Sequence, residues 1–133
     1  MVHRSIVGSL ERMMAHLIEQ HGGAFPAWLA PTQVALQPLS EAELPEAEAV
    51  RERCLDLGLR AVVADPTLGT LGARIREARL VPYQAVIGPR EAADGSPALR
   101  LRDGRRVDPL PVEEVVKRIV AVVGARDAEV WDV

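Results

Sequence analysis

The sequence is poor in the residues on which several kinds of function depend. Cys54 is its one cysteine in 133 residues, which excludes an internal disulfide and a cysteine-rich zinc site. Aromatic residues stop at Phe25, Trp28, Tyr83 and Trp131. A row of stacking faces for single-stranded RNA cannot be built from them, so any RNA contact falls to arginine and polar groups. Histidine is confined to His3, His16 and His21 in the first helical region, and none pairs with an acid at a recognised spacing. Gly-x-Ser-x-Gly elbows, Walker loops and His-Glu-x-x-His are all missing, so no catalytic residue is assigned. No run of about 18 apolar residues occurs, which excludes a helical membrane span. The first residues carry Glu11 and Glu19 and lack an apolar core, unlike a secretory leader, and a cytoplasmic location is expected.

What is present fits one globular domain with perhaps an added helix, for 48% of residues are hydrophobic and 26% charged. The net charge of −3 conceals a division along the chain. Residues 1–59 hold four arginines and eight acids, residues 60–106 nine arginines and five acids, and residues 107–133 three bases and six acids. One basic segment in an acidic protein suits a local polyanion footprint better than a general DNA coat. Because fifteen of the sixteen bases are arginine, solvated surface charge is the plainer reading of the same numbers.

Apolar periodicity orders the chain. Ile6, Leu10, Met13, Met14, Leu17 and Ile18 form one stripe of a helix over residues 5–21, stopped by Gly22-Gly23. Residues 22–32 read as an irregular connection, and residues 33–39 as a strand closed by Pro38. Ser40 with Glu43 makes a capping box for a helix burying Leu44, Ala47, Val50, Cys54, Leu55 and Leu57, ended by Gly58. Residues 59–64 form a strand. Residues 71–80 form a helix with Arg74, Arg76 and Arg79 on its polar sides, and residues 83–88 a third strand. Residues 91–94 and 98–102 read as a hairpin around Gly95-Ser96-Pro97, with a tighter turn at Asp103-Gly104. Pro111 opens a last helix over residues 112–123, and the tail from Ala125 is loose apart from Trp131. Alternating helices and strands joined by short loops imply a mixed sheet with parallel pairs. Chemistry is thin on this frame. Cys54 reads as a small buried hydrophobe, the carboxylates of residues 41–52 as a solvated helix face, and Gly69-Thr70-Leu71-Gly72 as a weak phosphate-binding junction.

Longer ordered sets carry more. His3-Arg4-Ser5-Ile6-Val7-Gly8-Ser9-Leu10-Glu11-Arg12 and Gly23-Ala24-Phe25-Pro26-Ala27-Trp28-Leu29-Ala30-Pro31-Thr32-Gln33-Val34 come first. Leu71-Gly72-Ala73-Arg74-Ile75-Arg76-Glu77-Ala78, Val81-Pro82-Tyr83, Gly88 and Arg100-Leu101-Arg102-Asp103-Gly104 follow. Together they resemble the threonyl-tRNA synthetase family over about residues 2–123. The resemblance implies that residues 1–31 correspond to the end of a class II catalytic domain and its connector, residues 32–124 to an anticodon-binding α/β domain, and residues 125–133 to a tail. It implies a mixed five-stranded sheet flanked by three helices, preceded by an N-terminal helix.

Residue by residue, the resemblance places Arg12 in the third signature motif, whose arginine contacts ATP, and His3 at a zinc-binding position. The rest of that catalytic site lies upstream in the family, so no aminoacylation, metal or cofactor is expected of this chain. Arg76, Glu91 and Arg100 fall where family members contact anticodon bases, with Arg74 and Arg102 beside them as RNA-binding candidates. An arginine fork suits guanine O6 and N7, and a carboxylate accepts from an exocyclic amine. Leu68 stands where the family has asparagine, and the connection to Pro82 is about two residues shorter. The expected partner is a tRNA with a threonine-type anticodon, read by a freestanding module or by a piece of a full synthetase. The alternative is a regulatory or protein-interaction module that reused the scaffold without tRNA. A full-length synthetase is a further possible partner. The apolar stripe of residues 5–21 needs a cover, and a homodimer through that helix is expected to supply it.

Overall fold

A computed structural model describes residues 10–127 and 129–131. The stretch around His3, and Ile6 of the first stripe, lie outside the described residues. Helix α1 (Leu10–His21) is followed by strand β1 (Val34–Pro38) and a 3-10 turn at Glu41–Glu43. Then come α2 (Leu44–Asp56), β2 (Ala61–Val63), α3 (Leu71–Glu77), β3 (Tyr83–Ile87), α4 (Pro89–Asp94), β4 (Ala98–Leu101) and α5 (Val112–Gly124). The sheet order is β2-β1-β3-β4, with β1 parallel to both β2 and β3 and β4 antiparallel to β3.

Topology decides which helix covers which face. The chain steps from β1 to β2 in one direction and from β2 across β1 to β3 in the other. Right-handed crossovers then require α2 and α3 to lie on opposite faces. Side-chain alternation agrees. Val34 and Leu36, Tyr83, Ala85 and Ile87, and Leu99 and Leu101 point to one face and form the core with Ala47, Val50 and Cys54 of α2 and Val115, Val116 and Ile119 of α5. Ala35, Gln37 and Gln84 point to the other face, under α3.

Four elements differ from the sequence reading. The sheet has four strands among the described residues, where five were expected. After the Asp103-Gly104 turn the chain does return along β4, but its pairing is the single bridge Arg100↔Arg106. Leu101 N–H donates to Arg105 O at 2.8 Å and Val107 N–H to Leu99 O at 3.0 Å, and Pro109, without an N–H, cannot extend the ladder. Residues 91–94, expected as one arm of a hairpin, lie in helix α4. Gly88 is its N-cap, Pro89 opens it, and Gly95 ends it at φ +67°. A side chain at Gly88 would collide with Leu39 Cδ1 at 2.6 Å. In α2, Leu55 and Leu57 are exposed, because a face centred on Ala47, Val50 and Cys54 turns them outward. Ser40 and Glu43 do form the capping box, and this buries Glu43, which was expected to be solvated with its neighbours.

In the described part of the tail, Val130 docks beside the expected Trp131, while residues 125–127 and 129 are exposed. Val130 and Trp131 are buried. The Tyr83 hydroxyl, itself fully buried, donates to Val130 O, and Arg118 lies over the Trp131 ring at 5.4 Å. Upstream, the irregular connection is pinned by Arg60, which donates to Ala30 O at 2.8 Å and Trp28 O at 3.2 Å, and by Gln33 Nε2 to Ala27 O at 2.9 Å. By contrast, α1 buries nothing among the described residues. Leu10 is 72% exposed and Met13, Met14 and Ile18 are exposed as well.

The anchor at Tyr83 is testable. Tyr83→Phe should cost about 1–2 kcal/mol by orphaning the Val130 carbonyl and shift Trp131 fluorescence toward that of exposed indole. Burial holds the Tyr83 phenol above its ordinary value of 10.0. The folded state therefore grips this proton more tightly than the unfolded chain does. That contribution is complete below about pH 10 and disappears as pH rises toward the folded value. Thermal melts should show the wild type losing stability above pH 10 and Tyr83→Phe losing less.

Candidate nucleic-acid interface

The face of the sheet beneath α3 is polar, and its polarity is organised. β1 and β3 each place one glutamine there in an otherwise apolar strand. Gln37 Nε2 donates to Gln84 Oε1 at 3.1 Å, and Gln84 Nε2 donates to Ile75 O and Ala78 O at 3.2 Å each. Those two carbonyls belong to the end of α3, where the last turn lacks intrahelical donors. Arg74 closes the network from above. Its Nη1 donates to Pro38 O at 2.9 Å and to Gln37 Oε1 at 3.3 Å, while Nε has no partner.

Arg74 is thus only 5% exposed, whereas the sequence placed it on a polar side of the helix. The reason is length. Seven residues of α3 cannot carry a full apolar stripe, so the helix docks through a long side chain that reaches the strand ends. Thr70 caps the helix, its Oγ1 accepting from Ala73 N–H at 3.2 Å. One of the N–H groups that an anion at the Gly69–Gly72 junction would use is therefore already taken.

Arg100 sits directly opposite Gln84 in the β3–β4 register, and cross-strand partners share a face. Arg74 and Arg100 therefore border the same polar face, with the two glutamines between them. Arg106, paired with Arg100, extends the row at the sheet edge. Arg76 points away from Arg74 and is exposed on α3. Among the described residues, Arg76, Arg100 and Arg106 make no side-chain hydrogen bond or ion pair. Their donors are free for a ligand.

Two other candidates do not join this group. Arg102 donates from Nη1 to Phe25 O and so holds the connector against the domain; burial depresses its pKa. Glu91 lies beyond the C-terminal end of β3, where its Oε2 accepts from Gly88 N–H at 3.0 Å. It lines a narrow gap with Glu46, Val50 and Val112 on the α2–α5 side. One carboxylate oxygen is spent on capping, and the group faces away from Gln84 and Arg100.

A cavity of about 270 Å³ opens beside α3, bounded by Gln37, Arg74, Asp65, Glu77, Val62 and Leu68. Asp65 stays ionised, its pKa lowered by hydrogen bonds from the hydroxyl and N–H of Thr67. Leu68, the departure from asparagine, stands 71% exposed at the rim. Cys54 is buried, and its thiol is pushed up to about 11 by burial, as befits a packing residue. No cluster of three or more histidine, cysteine or acidic side chains suited to a metal occurs among the described residues. The sequence reading missed Gln37, Gln84 and Arg106. The glutamines had a signal, since each interrupts an apolar strand at a position facing its neighbour.

Comparison with known proteins places this geometry. The family described as anticodon binding domain matches residues 33–127, which is most of the chain and all of the sheet. The chain belongs to that family. Over 123 residues, 91% of the chain, it is 42% identical to the threonine–tRNA ligase of Xanthomonas campestris pv. campestris strain B100, of which it covers 19%. It is 36% identical to the threonine–tRNA ligase of Clostridioides difficile strain 630 across 99% of the chain and 21% of that protein. The chain thus spans about a fifth of the length of the curated relatives it matches. Among solved structures it resembles the RNA binding domain of threonyl-tRNA synthetase from Cryptosporidium parvum, with TM-score 0.78, 32% identity, and coverage of 91% of this chain and 30% of that one. The resemblance to the threonyl-tRNA synthetase family holds, with four strands rather than five. Among the described residues no helix is long and apolar enough to cross a membrane.

The division between buried and free arginines predicts separable effects. Arg74→Met should lower stability by roughly 1.5–3 kcal/mol, because Pro38 O and Gln37 lose a charged donor. Arg76→Gln should leave stability within about 0.5 kcal/mol, as expected of a surface change. Thermal melts followed by circular dichroism measure both.

Proposed function

We propose that this anticodon-binding domain binds tRNA through the polar sheet face, as a module that does not itself aminoacylate. The observation that carries the proposal is the uncommitted state of Arg76, Arg100 and Arg106 around a face whose other polar side chains, Arg74 Nε aside, are internally bonded. Arg100 and Arg76 are the base readers in this reading. Arg74 is a positioning residue that fixes α3 and the cavity wall. Glu91 reads a base only through the oxygen that Gly88 does not occupy. With Leu68 at the rim instead of an amide, the neighbouring base meets an apolar contact, so discrimination at that position is weaker. The tRNA is one with a threonine-type anticodon, and residues 1–31 belong with a catalytic domain of a class II synthetase.

Fluorescence titration with a threonine-type anticodon stem-loop tests this. Arg100→Ala and Arg76→Ala should each weaken binding by about 1–3 kcal/mol and relax preference at one base. An equal, small loss across unrelated RNAs would reduce both to phosphate contacts. No binding by the wild type at low salt, where phosphate contacts are strongest, would overturn the proposal.

A second reading, a protein-interaction module built on the same scaffold, is favoured by one observation, the exposed stripe of α1. Leu10, Met13, Met14 and Ile18 each forgo about 1.5–3 kcal/mol of burial energy while exposed. A two-fold pair of α1 helices satisfies the patch with itself. Sedimentation at micromolar concentration should give a dimer, and deletion of residues 1–21 a monomer. A monomeric full chain would leave the stripe to a different partner, such as a full-length synthetase.

A further inference from the structure

On the other side of the β4 edge lies a groove of about 440 Å³ that shares only Arg106 with the anticodon face. Its walls are Leu101, Val107, Leu110 and Trp131, and Arg105, Arg106 and Arg118 line it with one acid, Asp108. Two of the three guanidinium groups are fixed from behind. Arg105 donates through Nε to Asp103 at 2.7 Å and through Nη2 to Trp131 O at 3.3 Å. Arg118 donates through Nε to Glu114 at 3.2 Å and stacks on Trp131. A guanidinium carries five N–H donors, so each keeps several that are unspent and held in orientation. Arg106 has no counter-ion among the described residues.

The nearby acids Asp103, Asp108 and Glu114 balance these three cations, so the groove is not a general trap for negative charge. Its selectivity is directional: fixed N–H donors beside an apolar, aromatic floor, in a volume typical of small-molecule sites. That pairing suits a group with a compact anion at one end and a flat apolar body at the other. A nucleotide has that form, its phosphate accepting two-pronged bonds from guanidinium and its base lying against Leu110 and the small exposed part of Trp131.

We infer that this groove is a second nucleotide-binding site, distinct from the anticodon face. The nucleotide could come from a free mononucleotide or from the bound RNA strand. Arg106 borders the groove and pairs with Arg100, so a strand leaving the anticodon face at Arg100 rounds the β4 edge into it. The RNA source rests on the proposed tRNA function; the free-nucleotide source does not.

The test uses the full chain with Trp28→Phe, which leaves Trp131 as the single tryptophan reporter. Trp131 emission is followed against adenosine monophosphate and, separately, against a threonine-type anticodon stem-loop. Arg105→Gln/Arg118→Gln, which spares the Arg106 shared with the anticodon face, is compared with its parent in both arms, and the native tryptophan chain is assayed for RNA affinity in case the reporter variant folds poorly. A saturable change with the mononucleotide, lost in the double variant, establishes the site with a free ligand. A response to RNA alone, with affinity reduced roughly fivefold or more in the double variant and a salt slope smaller by about one to two, establishes it with RNA as the source. Silence in both arms overturns the site. If Arg100→Ala weakens RNA binding but the double variant does not, and the mononucleotide is silent, the groove is overturned while the anticodon face stands. If the wild type binds no RNA, the tRNA reading fails and the mononucleotide arm decides the groove alone.

Discussion

Everything on the polar side of the sheet depends on a guanidinium buried without a carboxylate. A charged group taken out of water is costly unless it is well hydrogen-bonded. Arg74 meets that cost with a strand-end carbonyl and one glutamine amide, leaving Nε unpaired. The payment brings α3 onto the sheet through polar contacts, because a seven-residue helix has too little apolar surface to dock by burial. Gln37 and Gln84 must then be polar too, and they pass the bonding on to the carbonyls that end α3. One face of the sheet is thereby a hydrocarbon core and the other a hydrogen-bonded platform.

The platform sets the roles of the arginines. Several are consumed by the fold: Arg74 by the strand end, and Arg102 and Arg60 by the connector, each from beside an edge strand. The ones on its periphery, Arg76, Arg100 and Arg106, keep their donors. This sorting converts a basic segment, which by composition could equally be solvated surface, into a directional row of free donors, the row to which the proposed function assigns RNA. Glu91 marks the limit of the sorting, since capping α4 turns it toward α2 and α5 and away from the row.

The apolar elements were legible because their periods are unambiguous. β1, α5 and the buried half of α2 follow directly from Val34, Leu36, Val115, Val116, Ile119, Ala47 and Val50. α4 was hidden because Gly95-Ser96-Pro97 is as good a hairpin signal as it is a helix exit; the deciding feature was Glu91 three residues after Gly88, whose carboxylate accepts from the Gly88 N–H as the acidic half of a capping box does. The fifth strand was expected from the resemblance and from residues 91–94 read as a hairpin arm; those residues lie in α4, and after the Asp103-Gly104 turn only one bridge forms beside β4. The inward turn of Arg74 was not legible at all, since periodicity ranks arginine as a surface residue and says nothing of a carbonyl waiting at Pro38. The family resemblance named candidate residues but did not say which of its arginines are free.

The account stands or falls on which surface RNA touches. Amide chemical-shift mapping by NMR, with a threonine-type anticodon stem-loop added to the labelled chain, measures this directly. The account expects shifts concentrated at Leu68, Arg76, Gln84, Arg100 and Arg106, with the acidic outer face of α2 silent. Shifts confined to α1 or α2, with the polar face unmoved, would contradict it.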